Sequence, residues 1–140
     1  MTPDPTTPRR PADVFLALVH GVADRRVDDL PELYAEETDV VHPFDPERAP
    51  ALRTRSELRE HFVAGAGRRK HLRFRPEDIT IHETTDPEVI VAEFAYRGAV
   101  LATGEDFSLP GIFVMRVRDG EIVWSRDYFD YVTAARVFEG

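Results

Sequence analysis

Residues 71–131 read as four long strands in close succession, and this constrains the fold more than any other feature of the chain. The runs are "HLRFRPEDITIHE", "EVIVAEFAYRG", "AVLATGEDFSLPGIFVMRVR" and "EIVWSRDYFDY". Each is rich in β-branched and aromatic residues, and "TTDP", "RGAV" and "RDG" separate them as turns. Strands joined by such short links pair antiparallel, and strands this long twist and curl strongly.

The first half is helical in character. After Pro11, Val14, Leu18 and Val22 recur at helical spacing, with Phe15 and Val19 beside them, so a helix is expected to end near Arg25. A second, shorter helix is expected over "VDDLPELYAEE", with Pro31 in its first turn. "TDVVHPF" is β-like up to His42, where Pro43 forces the chain out of a ladder, and "DPERAP" is loop. "TRSELREHFVAG" predicts a third helix that starts at a Ser-x-x-Arg cap, turns Leu58, Phe62 and His61 toward the interior, and stops at Gly65. "GAGRRK" is a basic connection, and Ala134–Phe138 form a short terminal helix. Helices first and strands afterwards give an α+β domain. Its strongly curved, mostly antiparallel sheet is closed by three helices of the N-terminal half into a conical pocket. Residues 1–10, with three prolines and three threonines, are expected to be a disordered tail, and 11–140 one domain.

Composition narrows the partners. Lys and Arg total 18 against 26 Asp and Glu, a net charge of -8 that repels polyanions, so nucleic acid is not expected as a partner. No apolar run reaches the roughly 20 residues of a spanning helix. With "MTPDPTTPRRPAD" lacking a signal-like apolar core, no membrane partner and a cytoplasmic location are expected. The chain has no cysteine, which removes disulfides, thiolate metal sites and thiol catalysis.

Within "VWSRDYFDY", Asp127 sits where a half-buried strand avoids carboxylates. Its direction depends on the last turn. A three-residue "RDG" loop groups Phe113, Met115 and Val117 with Val123, Ser125, Asp127 and Phe129, and leaves Ile112, Val114, Arg116, Trp124, Arg126 and Tyr128 on the other face. A two-residue Asp-Gly turn groups Asp127 with Ile112, Val114 and Arg116 instead. The residues alone leave both open, and the first separates both arginines from the apolar set. A carboxylate on an apolar face costs several kcal/mol unless it is bonded, paired or protonated. That position suits a general acid or base; the plainer role is a cap or an ion pair. His42, at the break before Pro43, is a pocket-wall candidate able to orient Asp127 or a ligand carbonyl. Tyr34, Tyr96 and Tyr131 can donate from cavity walls. Phosphate-loop, dinucleotide, nucleophile-elbow and metal-histidine spacings are all missing, so no metal or cofactor is expected.

The stretches "LPELYAEETDVVHPF", "LRTRSELREHF", "HETTDPEVIVAEFAYRG" and "RVRDGEIVWSRDYFDYV" together resemble the SnoaL-like branch of the nuclear-transport-factor-2-like superfamily, from about Ala12 onward. "HETTDPEVIVAEF" and the "HPF" loop further resemble its phenazine-biosynthesis A/B-like group. The resemblance implies a cystatin-like α+β barrel, a curved sheet with helices around a conical pocket, together with a dimer through the outer sheet face and the three-residue last turn. It places Asp127 where limonene-epoxide-hydrolase-like members keep a catalytic aspartate, and His42 where steroid-isomerase-like members keep their base. Phe94 and Tyr96 stand where the epoxide hydrolases have their arginine and second aspartate. Leu18 stands in place of the isomerases' oxyanion tyrosine. Neither of those two reactions is therefore expected.

Taken together, the expectation is a cofactor-free acid–base enzyme of small-molecule metabolism, a cyclase, isomerase or condensing enzyme. It would act on an apolar, carbonyl-bearing substrate, with Asp127 and His42 catalytic. Tyr96, Phe94, Phe113, Met115, Leu18, Ser125, Phe129 and Tyr34 would line the ligand site, and Trp124, Arg126 and Tyr128 a homodimer face. The alternatives are a non-catalytic small-ligand binder and a structural dimer of the same fold.

Overall fold

A computed structural model describes residues 9–139, without the side chain of Glu139. The tail expected over residues 1–10 therefore lies outside the described residues, apart from the exposed Arg9 and Arg10.

Helix α1 spans Pro11–Ala23, with Pro11 in the first turn, where no amide donor is needed. Val14, Phe15, Leu18 and Val19 make its buried stripe, none more than 2% exposed. Gly21 lets the following chain approach: a Cβ there would lie 2.7 Å from Leu30 Cδ2. The short α-helix expected over residues 27–37 is instead a single 3-10 turn, Leu30–Leu33. The sheet overrides local propensity here, because the Ala35 amide donates to Ile122 O at 3.0 Å and Tyr34 bridges Ile122 in parallel register.

Strand β1, Glu37–Val41, leads through a loop to β2, Leu52–Thr54, a short strand that the sequence does not mark. Helix α2, Arg55–Arg68, is capped by Thr54 rather than Ser56. Thr54 Oγ1 accepts from the Glu57 amide (3.1 Å), while Glu57 accepts from the Arg53 amide (3.0 Å), a reciprocal cap. The helix also runs past its expected stop at Gly65. An interior glycine costs only about 1 kcal/mol, and here its bare face is covered by the Arg69 guanidinium.

Strands β3 (Leu72–Glu83), β4 (Val89–Val100), β5 (Asp106–Arg118) and β6 (Glu121–Phe129) follow, and helix α3, Tyr131–Glu139, ends the described chain. "RGAV" is not a turn but the end of β4; the chain reverses at 101–104, where Gly104 takes φ 72°. Gly98 is required by close strand approach, since a Cβ there would lie 1.9 Å from Arg73 O. Helix α3 begins three residues before its expected start because Asp130 caps it, accepting from the Thr133 amide at 3.1 Å.

The sheet order is β2-β1-β6-β5-β4-β3, antiparallel except where β1 runs parallel to β6. A bulge in β3, with Asp78 at φ 55°, switches the inward residues from Leu72, Phe74 and Pro76 to Ile79 and Ile81 and bends the strand. The expected α+β architecture is present, with one correction: the sheet is curled but not closed, because β2 and β3 remain separate edges. Helix α1 crosses β3, β4 and β5, while α2 packs on the 3-10 turn and β2. Between them and the inner sheet face lies the core. No helix among the described residues is long and apolar enough to cross a membrane.

Candidate active site

Asp127 owes its direction to a bulge. The last hairpin closes through a two-residue turn, Asp119 (φ 51°) and Gly120 (φ 78°), flanked by the Arg118–Glu121 pair. This corrects the three-residue loop. Alone, it would have turned Asp127 outward with Ile112. Val117 pairs with Ile122 and Arg116 with Trp124, so Val123 is the extra residue. From there the register is Met115–Ser125 and Phe113–Asp127, and Asp127 faces inward. Ile122, fully buried, takes the core position expected for Val123. Thr38 Oγ1 donates to the carbonyls of Ile122 (3.4 Å) and Val123 (3.2 Å), fixing the bulge from β1.

The Asp127 carboxylate is 5% exposed. Ser125, next inward on the same strand, donates its hydroxyl to Oδ1. His42 Nε2 stands 3.7 Å from Oδ2. Burial raises the Asp127 pKa above its usual range, outweighing the opposing pull of His42, the Ser125 hydroxyl and Arg126. His42 gets there because β1 pairs with β6 up to Val41–Arg126 and Pro43 then ends the ladder.

His61, on α2, places its ring 5.3 Å from that of His42. Burial, and next the charge of His42, push it down to about 4, so its imidazole is neutral at neutral pH. Burial pushes the Tyr34 and Tyr96 hydroxyls up, helped by the Asp127 charge; both stay protonated as hydrogen-bond donors. Tyr131, raised to about 12 mainly by burial, has a buried hydroxyl without a partner among the described residues.

Asp127, His42, His61, Tyr34 and Tyr96 border a hollow of about 70 Å³, which Tyr131 does not line. Of the expected site residues, Asp127, His42, Leu18, Tyr34, Tyr96, Phe113 and Phe129 line it. Three do not. Phe94 and Met115 are buried behind the wall, Phe94 edge-on to Phe113 with centroids 5.2 Å apart, and Ser125 reaches the site only through Asp127. Val22, Val40, Leu58, His61, Phe62 and Arg69 complete the lining. The periodicity of α2 pointed to Leu58, His61 and Phe62, but nothing in "GAGRRK" marked Arg69. Among the described residues no group of three or more acidic or histidine side chains is disposed to hold a metal ion. The arrangement offers one buried carboxylate, two imidazoles, neutral phenols and the Arg69 side chain around an apolar floor.

The sequence pattern of the SnoaL-like domain matches residues 15–125. This chain belongs to the SnoaL-like family. An uncharacterised PhzA/B-like protein of Pseudomonas aeruginosa is 31% identical over 71% of this chain and 69% of its own. Among solved structures, a Bacillus subtilis protein described as a candidate isomerase superposes with a TM-score of 0.78, at 22% identity over 92% of each chain. IdmH of Streptomyces antibioticus, described as a candidate polyketide cyclase, superposes with a TM-score of 0.69, at 21% identity over 94% of this chain and 100% of its own. The SnoaL-like chain thus shares its fold with proteins described by such chemistry, at identities that speak for the fold alone.

Proposed function

We propose that the chain is a small-molecule enzyme that performs acid–base chemistry without a cofactor, with Asp127 as the proton carrier. One observation carries this reading: a buried carboxylate with a raised pKa forms part of the wall of a largely apolar hollow, with the Ser125 hydroxyl and the His42 imidazole beside it. Asp127 would take a proton from a carbon next to a substrate carbonyl. His42, Tyr34 and Tyr96 are the donors for the developing enolate oxygen. Returning the proton to another carbon gives isomerisation; attack of the enolate carbon on a second carbonyl gives cyclisation or condensation. The descriptions of the similar structures fall in the same class of chemistry.

The pairing of Asp127 with His42 sets a pH dependence. The His42 charge holds the Asp127 pKa down against burial. His42→Gln removes that pull, so the Asp127 pKa rises and the acid limb of kcat/KM against pH moves upward. An unmoved limb in that profile would separate the two residues functionally.

A second reading is ligand binding without turnover, in a hollow of about 70 Å³ that admits a single ring more readily than a fused polycycle. Conversion of any carbonyl compound by the wild-type chain, lost in Asp127→Asn, decides between the two.

The outer sheet face is proposed as a homodimer interface. Ile112, 41% exposed, lies opposite Tyr128, and Val114 and Trp124 extend the apolar patch, with Phe44 against Tyr128 at 5.1 Å. Arg126 is committed within the chain, donating to Asp39 Oδ2 (2.9 Å) and stacking on Trp124. Light scattering should give twice the chain mass of 16.0 kDa, and Ile112→Glu should return the single mass. A monomeric wild type would remove the interface.

A further inference from the structure

The acid–base reading leaves one charged side chain of the hollow without a task. Arg69 follows the last residue of α2, its amide closing the helix on Gly65 O at 3.1 Å. An arginine at a helix end ordinarily carries its head into water. This one folds back over Gly65, where a Cβ would meet Nη2 at 2.8 Å and Nη1 at 3.1 Å, and its guanidinium lines the hollow. Phe138 of α3 covers it, with Cζ 5.9 Å from the ring centre.

The head has no counter-charge among the described residues. Burial lowers its pKa, Tyr96 opposes that, and the charged groups acting on it among the described residues are two further arginines, Arg68 and Arg25. Arg25 is itself occupied, donating to the carbonyls of Arg69 (2.7 Å) and Leu72 (2.6 Å). Asp127 does not neutralise Arg69, because the cations acting on that carboxylate are His42 and Arg126. Tyr96, which lines the same hollow, feels both charges, drawn down by Arg69 and pushed up by Asp127.

We propose that the hollow takes a small organic anion, its carboxylate seated on the Arg69 guanidinium and its apolar body lying past Tyr96, Phe113 and Phe129 toward Asp127. This names the substrate class for the acid–base reading and rests on it. A guanidinium fork matches a planar carboxylate through two parallel hydrogen bonds, and a lysine would not. The chain as a whole carries a charge of -8 and repels anions at long range, so a fixed cation inside the hollow is what admits one. Anchoring one end also fixes which carbon of the ligand reaches Asp127.

Benzoate and its neutral counterpart benzamide test this with the full chain, by titration followed in NMR spectra. Benzoate is expected to bind saturably, and benzamide at least about tenfold more weakly, the loss of one charge-assisted contact. Arg69→Met should weaken benzoate by a similar factor and leave benzamide unchanged. Gly65→Ala keeps the arginine but displaces its head and favours the helix, so it should weaken benzoate in a protein that folds at least as well. That variant decides the matter if Arg69→Met does not fold. Absence of saturable benzoate binding, equal binding of the two probes, or wild-type affinity in the folded variants overturns the proposal. Failure of the acid–base reading registers elsewhere, as turnover surviving in Asp127→Asn, because benzoate binding involves no proton transfer.

Discussion

Asp127→Asn should lower turnover of any substrate the wild type converts by about 10²–10⁴-fold, the usual contribution of one positioned proton carrier, while making the folded chain more stable at neutral pH. The two effects share a cause. Asparagine keeps the shape and still accepts from Ser125, but it has no charge to bury and no proton to exchange. In the wild type the folded pKa of Asp127 lies above its usual value of 3.8. Between those two values the folded chain holds a proton that the unfolded chain has released, so wild-type stability falls as pH rises through that window. Above the folded pKa the loss is complete. The variant lacks this loss. Thermal melts of both proteins should therefore coincide most closely in acid and separate by a few degrees at neutral pH, with Asp127→Asn the higher. A variant that melts lower than the wild type at neutral pH would show the ionised carboxylate to be a structural anchor, and the proton-carrier role would go with it.

The bulge explains what could be read in advance and what could not. The alternation of β5 and β6 is plain in the residues, and so is the cost of placing Asp127 on the apolar side. The grouping of Asp127 with Phe113 and Met115 is one of two that the residues leave open, and the turn it was expected to require is not the one formed. Asp119-Gly120 is a two-residue turn, and the register is restored by Val123, whose displacement depends on Thr38 from a distant strand. No local signal carries that information. The same holds for Tyr34, drawn out of a helical context by pairing with Ile122, and for β2, which exists only because β1 lies beside it.

Glycines account for two of the misplaced boundaries. Gly65 and Gly98 both read as stops, yet each sits inside a regular element because something lies against its missing Cβ: the Arg69 head in one case, the Arg73 carbonyl in the other. The first of these also hid Arg69, since a helix expected to end at Gly65 leaves the arginine in a solvated connection. Running the helix one further turn brings it back over the pocket. Phe94 and Met115 fail as lining residues for another reason. Alternation gives the face of the sheet but not the depth, and α1 fills the space in front of them.

That filling makes Phe15 a residue on which the fold depends heavily. Phe15→Ala is expected to cost about 3–5 kcal/mol, the range for truncating a buried aromatic. Phe15 is fully buried, and its ring meets Phe94 and Phe113 edge-on, with centroids 5.5 and 5.9 Å away. These contacts join α1 to β4 and β5 behind the wall of the hollow. A domain of this size has about 5–15 kcal/mol in all, so the loss is a large share, and melting should drop by roughly 10 °C or more. The effect should also reach the site. Phe113 is a wall residue on one side and a Phe15 contact on the other, so the void left by truncation adjoins the hollow. Ligand affinity should then fall even at temperatures where the variant is folded. Phe15→Leu, which refills most of the volume, should recover most of both. Urea unfolding of the three proteins measures the first effect and benzoate titration the second. If Phe15→Ala loses stability but binds as the wild type does, the wall is rigid without α1 behind it, and the hollow is shaped by the sheet alone.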